Sequence, residues 1–144
     1  MLMSFIDDVD AWANDLGRPD YSLTEAERTF GHVLSRREWM AECAPRDPRF
    51  SGAQFEFLSS NLARPVGIRA QLRAPSTISW LEACLRWGQP HTEFVDRDGW
   101  GQPTHWMFCP TRAPRTRIFL TVASRDLDSA AVDGMTVRWF PPGT

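Results

Sequence analysis

The spacing of apolar residues changes partway along the chain. Near the amino end they recur at helical spacing: Phe5, Val9, Trp12 and Leu16 share one face, with Ser4 placed as the cap, Asp7 in the first turn and Gly17 as the stop. A second helix is expected from Ser22 or Thr24, since Ser22/Glu25 and Thr24/Glu27 both have capping-box spacing. Its buried stripe would be Ala26, Phe30, Val33, Leu34 and Ala41, with a partly buried His32 among them, until Pro45 and Pro48 end it.

Between Ser51 and Arg73 the period becomes two. Ala53, Phe55 and Phe57 alternate with Gln54 and Glu56, and Val66, Ile68, Ala70 and Leu72 alternate with Gly67, Arg69, Gln71 and Arg73. That pattern predicts two strands joined as a loose hairpin, although Phe55 to Leu62 also fits a short helix. After Pro75 a helix from about Ser76 to Trp87 is predicted, with Ile78, Leu81 and Leu85 on one stripe and Trp80, Cys84 and Trp87 on the next; apolarity this wide implies a helix buried across a sheet. Strands then follow at Thr92–Asp96, Thr104–Cys109, Arg115–Ala123 and Met135–Phe140, with connections too short for parallel crossovers.

The expected fold is therefore α+β: two N-terminal helices, a hairpin, a buried central helix and a C-terminal antiparallel meander, forming one sheet with helices packed on one face. With 144 residues, 42% of them hydrophobic, a single domain over 1–144 is expected. Its helical part would span about 4–43, and its sheet with the central helix about 52–140. No run of about 18 apolar residues is present, and the first residues carry Asp7 and Asp8 where an export signal needs cations, so a cytoplasmic location is expected. The odd number of cysteines, Cys43, Cys84 and Cys109, all set in apolar surroundings, fits reduced thiols better than a disulfide framework.

All sixteen basic residues are arginine. GC-rich coding explains this simply; selection for a flat, bidentate cation at a contact surface is the sharper alternative. Residues 1–50 hold ten acids against six arginines, whereas 51–91 hold two against four. An acidic amino-terminal half suits steering toward a basic partner, and a net charge of −2 argues against nucleic acid.

Candidate chemistry is sparse. The near repeat Trp87-Gly88-Gln89-Pro90-His91 and Trp100-Gly101-Gln102-Pro103-Thr104-His105 reads first as a reused turn, and second as an aromatic and histidine rim around a pocket. His91, His105, Cys84 and Cys109 match no compact metal pattern, and His105 and Cys109 would stand about 13 Å apart along a strand, so no metal is expected. Asp96-Arg97-Asp98-Gly99 lacks the later ligands of a calcium loop, and a nucleophilic site built from Cys109 and His91 has no local signature. No cofactor motif and no catalytic motif is present.

One surface stands out. The sides of the strands opposite their aliphatic residues carry Arg69, Gln71 and Arg73, then Arg117, Phe119 and Thr121, then Thr136, Arg138 and Phe140, a mixture enriched at protein interfaces. The equally weighted alternative is a solvated face with its phenylalanines covered by the N-terminal helices. The expectation that follows is a non-catalytic protein-binding module, such as a small bacterial or phage inhibitor or immunity protein. Its candidate contact residues are Arg69, Arg73, Arg117, Phe119, Arg138, Trp87, His91, Trp100 and His105. The alternative is a small-molecule-binding domain or enzyme whose pocket between the central helix and the sheet is lined by Trp80, Trp87, Trp100, His91 and His105. Single-stranded nucleic-acid binding ranks last.

Overall fold

A computed structural model describes residues 4–58, 61–77, 80–90, 105–122 and 131–142, with backbone alone at 74–77, 80, 105, 122, 131 and 133. Two short helices, α1 (Phe5–Leu16) and α2 (Leu23–Thr29), precede four strands, β1 (Gly31–Arg37), β2 (Met40–Pro45), β3 (Phe50–Leu58) and β4 (Asn61–Thr77). Then come α3 (Trp80–Trp87) and the strands β5 (His105–Phe108), β6 (Thr116–Val122) and β7 (Ala131–Trp139). All seven strands form one antiparallel sheet in the order β1-β2-β3-β4-β7-β6-β5. The first four strands lie side by side in chain order. The chain then crosses to the far edge and returns, so that β7 closes against β4.

This corrects the α+β expectation: the sheet dominates, and the helices do not form a common layer on one face. α2 touches β1 and β4, α1 reaches β4, β6 and β7, and α3 docks through Arg86 and Trp87 onto α1. The main cause is the segment 31–45, expected to continue the second helix and instead folded as the β1–β2 hairpin. Ser22 does cap α2, accepting the Glu25 amide at 3.3 Å, but the helix stops at Thr29. Gly31 then lies so close to β2 that a Cβ there would overlap the Ala44 carbonyl oxygen. The hairpin turns at Glu38-Trp39 with Glu38 at φ 42°, a left-handed conformation taken without the glycine or asparagine that normally announces it. His32 accordingly sits exposed on a strand.

Register aligns the side chains into rows across the sheet. Ala41, Phe55, Ile68, Val137, Ile118 and Phe108 form one row from β2 to β5. All six are buried and belong to one hydrophobic cluster that also takes in Ile6, Val9, Ala13 and Leu16 of α1. Each Phe, Ile, Val or Leu side chain among them contributes roughly 1.5–3 kcal/mol on burial. Trp12 meets Phe30 edge-on at 5.2 Å and Phe50 at 5.7 Å, tying α1 to the start of β1 and β3.

Arginines fasten the helices. Arg64 on β4 donates to the Leu16 and Arg18 carbonyls at 2.8 and 2.7 Å, capping the carboxyl end of α1, while its guanidinium lies 3.9 Å over the Trp139 ring. Arg49 pairs with Asp8 of α1 and with Asp47. Arg86 of α3 reaches Asp7 and Asp10, and the Trp87 indole donates to Asp10. The predicted burial of α3 across the sheet is also corrected. Ala83 and Trp87 are buried, Trp87 against Phe108, but Leu81 and Leu85 are 67% and 78% exposed.

Two glycines, in β1 and β3, separate close approach from ordinary strand geometry. Gly31→Ala should destabilise the protein by more than about 2 kcal/mol in urea unfolding, because backbone must move to admit the methyl. Gly52→Ala, where a Cβ meets nothing within 4 Å, should change stability by less than about 0.5 kcal/mol.

Candidate functional site

The opposite side of the same strands is polar. Ser35, Glu42, Gln54, Arg69, Thr136, Phe119 and Met107 form a row through all seven strands, one residue out of phase with the apolar row. Glu42 and Arg69 stand exposed, Gln54 and Phe119 are half-buried, and Thr136 and Met107 are buried. The adjacent row is Arg37, Met40, Glu56, Gly67, Arg138 and Arg117. Among the predicted site residues, the sheet thus brings Arg69, Phe119, Arg117 and Arg138 together on adjoining strands. Arg73 lies further along β4 on the same side.

The cations of this face are not equivalent. Arg138 reaches across Gly67 to pair with Glu56 at 2.5 Å, two strands away. Gly67 makes that span feasible, because a Cβ there would lie only 3.1 Å from Glu56 Oε1. Arg117 donates to the Pro114 and Thr116 carbonyls at 2.9 and 3.1 Å. Arg73 donates to the Pro48 and Phe50 carbonyls at 3.2 and 3.4 Å. Arg69 has no hydrogen bond or ion pair among the described residues. Among the described residues its guanidinium thus has all five donors unspent, as does that of Arg37 on the edge strand β1.

Arg69 also stands between two open depressions. One, of about 670 Å³, is lined by Leu34, Glu42, Gln54, Gln71 and Arg73 among others; the second, of about 530 Å³, by Thr121, Gly134 and Thr136. Ser51, Arg69 and Gln71 border both. Leu34, 62% exposed, adds an apolar edge to the larger one. Leu34 and Glu42 fall in the segment expected to be helical, which hid their place on this face. Gln54 and Glu56 were legible from the alternation with Phe55 and Phe57.

Other candidates do not converge. Trp87 is spent on packing, its ring 5.4 Å from Phe108 and its indole N–H on Asp10. His91 and Trp100, the predicted strand at Thr92–Asp96 and the Asp96–Gly99 turn lie outside the described residues, as do the side chains of Trp80 and His105. Phe140 is exposed at the end of β7, its amide donating to the Arg115 carbonyl. Among the described residues no group of His, Cys, Asp or Glu could hold a metal ion, and no helix is long and apolar enough to cross a membrane. All three cysteines are free. Burial pushes the Cys43 thiol up to about 12, which keeps it protonated and unreactive at neutral pH.

Six acids of the amino-terminal half are held in ion pairs within the fold. Asp7 and Asp10 pair with Arg86, Asp8 and Asp47 with Arg49, and Asp15 and Glu25 with Arg18. The Ser4 hydroxyl and Arg86 hold the Asp7 carboxyl below its usual range. These pairs set six carboxylates against three guanidiniums, whereas the polar sheet face carries five arginines among the described residues, Arg37, Arg69, Arg73, Arg117 and Arg138, against Glu42 and Glu56.

Arg138→Met should destabilise the protein by about 1–3 kcal/mol, because it strands the Glu56 carboxylate, 8% exposed, without a counter-charge. Adding Glu56→Gln should recover most of that loss in a double-mutant cycle of urea unfolding; additive losses would mean that the pair is not coupled. Compared with protein-family models, curated proteins and solved structures, the chain matches none.

Proposed function

We propose that this protein is a non-catalytic binding module that occludes a partner protein through the polar face of its sheet, as a small inhibitor or immunity protein does. The observation that carries this reading is Arg69: an exposed guanidinium without a partner among the described residues, at the meeting point of two depressions on a seven-stranded sheet. A surface of arginine with a half-buried ring and an exposed leucine has the composition of an interface centre, where desolvated Arg and aromatic groups supply most of the contact energy. Strands paired on both sides hold these side chains in place, so little ordering entropy is lost on docking.

Binding follows from simple chemistry. A flat partner surface excludes water from Arg69, and the charge-assisted bond it then makes is stronger than the same bond in solvent. No reacting group needs to be activated.

The reading is checked by native-lysate pull-down with tagged wild-type protein and the charge-reversal variant Arg69→Glu, quantified by mass spectrometry. A stoichiometric protein retained by the wild type and reduced at least about tenfold by the variant is expected, since losing a charge-assisted contact and adding a repulsive one exceeds about 1.4 kcal/mol. Equal retention by the two, or no stoichiometric partner at all, contradicts it.

A further inference from the structure

Resting on that reading, we infer that the element recognised by the sheet face is an extended, acidic stretch of a partner protein, with one carboxylate on Arg69 and a neighbouring aliphatic side chain against Leu34. Three features of the face select this chemistry.

The first is charge. The chain as a whole is slightly negative, yet among the described residues this face holds five arginines and two glutamates, and Glu56 is already engaged by Arg138. Among the described residues the exposed cations of this face left without an acceptor are Arg69 and, on the edge strand β1, Arg37; only Arg69 borders both depressions, and a carboxylate matches its planar fork with two parallel bonds. A basic segment would meet like charge at Arg69, Arg73 and Arg117.

The second is the flanking pair of amides. Gln54 lies directly opposite Arg69 on β3, and Gln71 lies two residues along β4 on the same side. Each primary amide offers a donor and an acceptor, the combination that satisfies a peptide backbone laid between them. A lone inorganic anion would use only their donors.

The third is shape. The two depressions run from β2 across β3, β4 and β7 to β6, four strand spacings or about 19 Å, which an extended chain covers with about six residues. The rim residue Leu34 gives an aliphatic side chain a contact that a phosphodiester backbone cannot use. Phe119 is the sole aromatic residue in the central row, half-buried, so among the described residues the face lacks the successive exposed rings on which single-stranded bases stack.

The test uses ¹⁵N-labelled full-length protein titrated with blocked hexapeptides of alternating Glu-Leu, Gln-Leu and Lys-Leu, and with a short oligothymidylate. The Glu-Leu peptide should shift the amides of Gln54, Arg69 and Gln71. Its affinity should fall about tenfold in Arg69→Gln, and fall again between about 50 and 300 mM NaCl as the Debye length shortens. Amides of the apolar row should stay in place in Arg69→Gln, showing that the variant is folded. If the Gln-Leu or Lys-Leu peptide, or the oligonucleotide, shifts the same amides equally well, the face binds but the acidic assignment is wrong. If no probe shifts them, the assignment also falls; the pull-down with Arg69→Glu then decides separately whether the face engages a protein by other chemistry.

Discussion

Everything in this molecule depends on the register that puts Ala41, Phe55, Ile68, Val137, Ile118 and Phe108 in one line across six strands. Side chains alternate along a strand, so that alignment also decides what lies on the other side: a slip of β3 or β4 by one residue would bury Gln54 or Arg69 and expose Phe55 or Ile68. The buried row and the recognition row are thus two consequences of one constraint. Gly31 and Gly67 serve it at two points, the first by letting β1 lie tight on β2, the second by leaving room for Arg138 to reach Glu56.

The helices are held to this sheet by hydrophobic contact and by arginine. Arg64 bonds two carbonyls at the end of α1 and covers Trp139; Arg49 joins Asp8 to Asp47; Arg86 joins Asp7 to Asp10. Each uses several donors in fixed directions at once, which an ammonium group on a flexible stem does poorly. The lysine-free composition therefore has a structural use here, whatever the coding bias of its source. It also accounts for the acids of residues 1–50, most of which are consumed as anchors.

Legibility followed how strongly each segment was patterned. Val66, Ile68, Ala70 and Leu72 alternate without exception and lie in a strand as read, and the strands at 104–109, 115–123 and 135–140 fall where β5, β6 and β7 are found. Ser4 and Ser22 cap the helices that their spacing implied. The β1–β2 hairpin was hidden for two physical reasons. Ala26, Phe30, Val33 and Leu34 carry helical spacing by coincidence, and the turn at Glu38-Trp39 uses a left-handed glutamate with no glycine to mark it. For the candidate site, the sharing of one side by Arg69, Phe119, Arg117 and Arg138 was legible from alternation once the strands were placed. Which of those arginines lacks a partner was not, because it depends on Gly67, on the 112–116 turn and on carbonyls distant in sequence.

The central claim is that, among the described residues, the fold spends most of its arginines on itself and leaves Arg69 exposed and unpaired on the polar face. Arginine-directed modification with phenylglyoxal, followed residue by residue by mass spectrometry, measures this directly, and the absence of lysine simplifies its interpretation. Arg69 should react at close to the rate of an unstructured arginine, and Arg64, bonded to two carbonyls and stacked on Trp139, many times more slowly. An Arg69 as protected as Arg64 would mean that the face is already covered, and would contradict the account.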